Sequence, residues 1–324
     1  MEKLLENEMI NTKNLKYLIS LSANKQQIFR KLCDNKNMLN IIEWMWKDEN
    51  IKNFYKKNIS RIFINICIYG CFNTVKWIWE ISQREASEIK ISYNDIKYAF
   101  RYACIYGYLD LAKWLREVSQ RETGGIGRET KGIGGEDENI FGHTCGNGHL
   151  DVAKWLWEVS LKETKEIGRG MIGRIDIHAY DEYAFRTACQ YKYMNVAKWL
   201  LEISQEINAD FTIIWKRIFP SVINIHACDE KAFRDACEWG HFNIAKWLWE
   251  VSQRDEIGKI DIHAMNEWAF RSACVNEHLD IAKWLWEISL HDTSRIDIHA
   301  DDNSIFKWCM EKEVIDWLNA IDGK

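Results

Sequence analysis

No stretch of this 324-residue sequence approaches the roughly 18 uninterrupted apolar residues of a membrane-spanning helix, so no membrane partner is expected. Its first residues, Met1-Glu2-Lys3-Leu4-Leu5-Glu6-Asn7-Glu8, lack the zones of a signal peptide, and the expectation is a soluble cytoplasmic protein. Proline is nearly missing, with Pro220 alone. The glycine run Gly124-Gly125-Ile126-Gly127 lacks the Lys-Ser/Thr pair that completes a phosphate-binding loop, and it follows a helical pattern where such a loop follows a strand. No Ser/His/Asp or paired-carboxylate constellation stands outside the repeating pattern described below, so no catalytic residue, no enzymatic activity and no cofactor is expected. Cys145, Cys237 and Cys274 each precede a histidine by four residues (His149, His241, His278), but no second pair is placed to complete a zinc tetrahedron, and no metal is expected.

A disulfide framework is also missing despite ten cysteines. Seven of them, Cys33, Cys67, Cys104, Cys145, Cys189, Cys237 and Cys274, recur at one position of a repeat. Equivalent positions in stacked helical repeats lie about 10 Å apart, beyond the reach of a disulfide. They read as small buried hydrophobes in a reducing compartment. Charge is also unremarkable: the net −5 divides into +5 for residues 1–100 and −10 for the rest, which is no nucleic-acid footprint.

What the sequence has in abundance is repetition. The block Ile244-Ala245-Lys246-Trp247-Leu248-Trp249-Glu250 recurs eight times, with its first tryptophan at Trp44, Trp77, Trp114, Trp155, Trp199, Trp247, Trp284 and Trp317. The separations are 33, 37, 41, 44, 48, 37 and 33 residues, a constant unit with variable insertions, as in a solenoid whose units bury their apolar faces against one another. Ala232-Phe233-Arg234-Asp235-Ala236-Cys237 and its equivalents at 184–189 and 269–274 space Phe, Ala and Cys along one face of a short inner helix. A turn glycine follows, as in Gly107, Gly148 and Gly240. Residues 243–252 then place Ile244, Trp247, Leu248 and Val251 at the spacing of an outer helix. A phrase such as Ile260-Asp261-Ile262-His263-Ala264 links units, its alternation suiting an extended strand that enters a turn. Its histidines, His178, His226, His263 and His299, are expected to hydrogen-bond neighbouring connectors.

These residues resemble the ankyrin repeat. Asp261-Ile262-His263-Ala264 stands where that family has Asp-Val-Asn-Ala, Ala273-Cys274 where it has Ala-Ala, and Gly240-His241-Phe242-Asn243-Ile244-Ala245 where it has Gly-His-x-x-Val-Val. The paired tryptophans and long insertions look most like the ankyrin repeat proteins encoded in many copies by giant DNA viruses of amoebae. The resemblance spans about residues 28–318 and departs in lacking the family's Thr-Pro-Leu-His helix start, which Ala184-Phe185-Arg186 and its equivalents replace. It implies an all-α fold, an ankyrin-type solenoid of about eight helix-turn-helix units with short extended connectors. Residues 1–27 read as an N-terminal helical cap, 28–304 as the array, and 305–324 as a truncated C-terminal capping repeat.

Insertions interrupt the array near residues 119–136, 161–174 and 205–221. The first carries a seven-residue tandem duplication rich in glycine and charge, read as a projecting loop. The third is apolar, and Trp215 and Phe219 are candidate anchors for a partner.

The first-column tryptophans are expected in the core between outer helices. Those two residues later, Trp46, Trp79, Trp157, Trp249 and Trp286, are about 200° further round and are expected to be partly exposed, packing on the next outer helix. The resemblance also implies a concave recognition face that includes Tyr102, Tyr106, Tyr180, Tyr183, Gln190, Tyr191, Lys231, Glu238, Trp239, Met265, Trp268, Val275 and Asn276. These positions vary between repeats while the packing columns stay constant, as a composite binding surface requires. The expectation is a monomeric, non-enzymatic scaffold that binds a partner protein, a host protein if the viral resemblance holds. Two alternatives are a solenoid that stacks its aromatics on single-stranded nucleic acid, opposed by the acidic C-terminal two thirds, and a structural protein that self-associates through its convex tryptophans.

Overall fold

The structure, a computed structural model, describes residues 32, 39–56, 58–85, 90–122, 137–167, 175–210, 222–254, 257–292 and 294–322. The segment read as an N-terminal cap, Cys33, the tandem duplication, Trp215 and Phe219 lie outside the described residues. The chain divides into two compact units, residues 1–132 and 133–324. Among the described residues there are sixteen α-helices and no strand, and no helix is long and apolar enough to cross a membrane.

The first unit contains α1 (Leu39–Met45), α2 (Glu49–Lys56), α3 (Ile59–Ile68), α4 (Phe72–Arg84), α5 (Tyr93–Ile105) and α6 (Leu109–Glu122). Helices α3 and α4 form one hairpin, α5 and α6 a second, and the inner helices α3 and α5 pack side by side. The start of α5 is fixed by a capping box: Ser92 Oγ accepts from Asp95 N–H while the Asp95 carboxylate accepts from Ser92 N–H.

The second unit contains α7 (Asp137–Gly146), α8 (Leu150–Ile167), α9 (Ala179–Gln190), α10 (Met194–Asp210), α11 (Ala227–Glu238), α12 (Phe242–Ser252), α13 (Ala264–Val275), α14 (Leu279–Ser289), α15 (Ala300–Trp308) and α16 (Lys312–Asp322). The inner helices α7, α9, α11, α13 and α15 lie in sequence against one another, and α7 through α14 pair as successive hairpins. Alanines make the close approach possible: Ala184, Ala188, Ala232, Ala236, Ala269 and Ala273 are all buried. Phe185, Phe233 and Phe270 beside them have no exposed surface. Each such phenylalanine contributes roughly 1.5–3 kcal/mol by leaving water.

The glycine turn is as the sequence predicts. Gly70, Gly107, Gly148 and Gly240 hold φ between +68° and +78°, where a side chain is strained. At Gly240 a Cβ would lie 2.6 Å from the His278 ring. Lys192 and Glu277 occupy the same conformation without that freedom, at φ +69° and +67°.

On the outer helices the tryptophan expectation needs correction. The fully buried residue is the one between the two columns, as Ile78, Leu115, Leu156, Leu200, Leu248 and Leu285 show. The tryptophans flank it by about 100° on either side, so most of both columns are half-buried, while Trp199 of the first column and Trp46 and Trp157 of the second are buried outright. The first column reaches back onto the preceding inner helix: ring centroids are 6.2 Å apart for Phe185 and Trp247 and 6.1 Å for Phe233 and Trp284. The second column meets the next first column edge to face, at 5.6 Å for Trp46 and Trp77 and 6.4 Å for Trp79 and Trp114 and for Trp249 and Trp284. Each such pair adds about 0.5–1.5 kcal/mol beyond area burial, and the second column therefore packs on the next outer helix.

The nine cysteines among the described residues form no disulfide, and eight are buried. Burial pushes Cys67, Cys145, Cys189, Cys237 and Cys274 far above the ordinary thiol value, so they behave as small core residues.

Candidate functional site

The connectors of the second unit form no strand. Their two isoleucines are buried, as at Ile223 and Ile225 or Ile260 and Ile262, and the Asp or Asn between them turns the chain by accepting from the histidine N–H, for example Asp261 Oδ1 from His263 N at 2.9 Å. Three consecutive left-handed residues follow at 180–182, 228–230, 265–267 and 301–303, with φ between +55° and +62°. Such a conformation costs roughly 1–2 kcal/mol per residue. Asp or Asn at the middle position tolerates it best, as at Asp181, Asp229, Asn266 and Asp302.

Two side chains hold each of the first three turns. The arginine of the following helix spans it from within: Arg234 donates from Nε to Asp229 O at 2.6 Å and from Nη2 to Cys228 O at 3.1 Å, and Arg186 and Arg271 do likewise. The glutamate that closes the turn is buried and joins two repeats. Glu230 Oε1 lies 2.7 Å from His226 Nδ1 and accepts from Asp261 N–H in the next connector. Glu182 links His178 to Asn224, and Glu267 links His263 to Asp297, in the same way. The connector histidines thus bond first to a glutamate of their own turn. Two of them also reach the next connecting segment directly, His226 Nε2 to Ile257 O at 3.0 Å and His263 Nε2 to Ser294 Oγ at 3.2 Å. The series ends at His299, which bonds Asn303 and Asp322, and these two hydrogen bonds raise its pKa.

This frame leaves one face of the inner helices uncovered. Between α11, α13 and α15 a groove of about 350 Å³ is lined by Glu238, Trp268, Arg271, Asp301, Ser304 and Trp308, among others. Trp268 is fixed there by donating from Nε1 to Glu238 Oε2 at 3.2 Å, with the Arg234 and Arg271 guanidinium groups 5.9 and 5.6 Å from its ring centre. Arg271 in turn donates to Asp301 at 2.5 Å and Ser304 Oγ at 2.9 Å. Trp308 stands 66% exposed at the groove and Trp239 56% exposed at the end of α11.

The residues expected on the recognition face fall into two groups. Tyr106, Tyr180, Tyr191, Trp239, Met265, Trp268 and Asn276 are exposed, and Glu238 and Val275 line the groove. Tyr102 is half-buried, stacked on Tyr106 with centroids 6.2 Å apart in the first unit. Gln190 is half-buried, its carbonyl taking a hydrogen bond from His241 Nε2. Tyr183 and Lys231 belong to the frame. The Tyr183 ring lies where a Cβ on Gly142 would stand, its hydroxyl meets His143 Nδ1 at 3.3 Å, and burial raises its pKa. Lys231 pairs with the buried Asp235 at 3.0 Å.

Sequence reasoning missed Trp308, which lies in the segment 305–324 read as a cap, and Asp301 and Ser304, which occupy in the last connector and helix the positions of Met265 and Trp268 but are small and polar there. Among the described residues no group of three or more His, Cys, Asp or Glu side chains could hold a metal ion. No protein-family model matches the chain, and no curated protein matches it.

Proposed function

We propose that the chain is a non-enzymatic scaffold of ankyrin-type helix pairs that binds a partner protein on the exposed face of its inner helices. The observation that carries this reading is the exposure of Trp268 and Trp308 on α13 and α15 and of Trp239 at the end of α11, while other residues of the same inner helices are buried. Tryptophans in a groove with fixed polar neighbours are the usual energetic anchors of protein recognition. The resemblance of the repeat to the ankyrin proteins of giant viruses supports the narrower reading, a viral protein that engages a host protein in the host cytoplasm.

Affinity capture from host lysate tests it, comparing the intact chain with one carrying Trp239→Ala, Trp268→Ala and Trp308→Ala at matched thermal stability. A protein retained by the intact chain and lost from the variant supports the proposal. Equal capture by both removes this face from consideration.

A further inference from the structure

We infer that the groove between α11, α13 and α15 receives an extended basic segment of the partner, with lysine or arginine side chains lying against Trp308 and the carboxylates of Glu238, Asp297 and Asp302. This rests on the reading of that face as the partner-binding surface, and it specifies the chemistry of what binds.

The argument begins with the charges that face the groove. Three ionisable side chains line it, one from each helix: Glu238, Arg271 and Asp301. Arg271 is already committed, since its guanidinium bonds Asn266 O, Met265 O, Ser304 Oγ and the Asp301 carboxylate. Asp301 and Arg271 therefore neutralise each other, and the negative charge of Glu238 is left over. Its carboxylate has one neutral donor, Trp268 Nε1, and no cation paired with it among the described residues.

The second part of the argument is where the groove leads. Asp301 also lines a neighbouring recess of about 560 Å³, whose other walls include Glu267, Asp297 and Asp302. Asp297 and Asp302 are exposed, while His263 in the same recess already serves Glu267. A chain laid from the groove into the recess passes Glu238 and then Asp297 and Asp302, meeting no uncommitted cation among the lining residues. The whole second unit has the same sign: 21 Lys and Arg against 33 Asp and Glu give residues 133–324 a net charge of −12. An acidic partner would be repelled at long range and would leave Glu238 buried against like charge, whereas a basic segment is drawn in by both. The 66% exposed indole of Trp308 offers a cation the electron-rich face that the two arginines already use on Trp268.

The test is selection of a random peptide display library on the intact chain, with subtraction against a Trp308→Ala variant. The expected result is enrichment of peptides carrying two or more Lys or Arg. Their affinity should fall at least about fivefold in Glu238→Gln, which keeps an acceptor for Trp268, and should weaken as salt is raised. Enrichment of apolar or acidic peptides that depend on Trp308 would overturn the inference and leave the protein-binding reading standing. If no enriched peptide depends on Trp308, both fall.

Discussion

Glu230 joins two repeats through a single oxygen, which accepts from Asp261 N–H while facing His226 Nδ1. Replacing it with alanine removes two part-buried hydrogen bonds, each worth about 0.5–1.5 kcal/mol. Glu230→Ala should therefore lower the unfolding free energy by about 1–3 kcal/mol, read as a lower denaturant midpoint with an unchanged slope, whereas Asp229→Asn should leave it nearly unchanged. The clue to this link was present in the sequence as a glutamate four residues after each of His178, His226 and His263, broken at His299 by Asn303. Spacing alone does not reveal its role, because a glutamate beside a turn Asp or Asn ordinarily faces water, and only the left-handed turn carries it inward. Trp268 and Glu238 at the groove, and Trp239 at the end of α11, are legible from their variation against a constant frame. Tyr183 and Lys231 vary in the same way, and what separates them is contact: Tyr183 meets Gly142 of the preceding repeat, and Lys231 pairs with Asp235 four residues on, whose burial the spacing alone does not display.

Helix pairs follow directly from the spacing of Ala, Phe, Cys, Gly and Trp, and the hairpins lie where that spacing puts them. The connectors do not, since alternation of Ile with Asp predicts a strand only if a neighbouring strand is there to pair with it. Here the isoleucines are buried and the backbone groups go to Asx turns and to the arginines of the following helices. A second consequence concerns the inner-to-outer turn. Glu277 holds φ +67° where four other repeats use glycine. Glu277→Gly should raise stability by about 0.5–1 kcal/mol, read as a higher unfolding midpoint. Gly240→Ala should lower it, because the added methyl meets both a left-handed backbone and the His278 ring.

Over the whole molecule the two units carry opposite charge, +7 for residues 1–132, with 22 Lys and Arg against 15 Asp and Glu, and −12 for residues 133–324. The charge split by sequence position was legible, but its sharpness depends on a boundary that composition does not mark. Histidines give stability its dependence on pH near neutrality. Burial lowers the pKa of His241 below the ordinary 6.5, so its contribution is full above that value and declines as pH falls toward the folded-state value. Hydrogen bonds to Asp322 and Asn303 raise that of His299, so its contribution is full below 6.5 and is lost as pH rises through the folded-state value. In unfolding midpoints measured from pH 5 to 8, His241→Asn should flatten the acid side and His299→Gln the alkaline side. The central claim is that recognition and framework occupy opposite faces of the same helix pairs. Hydrogen exchange of the full chain with and without the captured partner tests it most directly: slowed exchange at 264–276 and 300–310 is the predicted result. Protection confined to the outer helices at 242–252 and 279–289, or to residues 209–219, would contradict it.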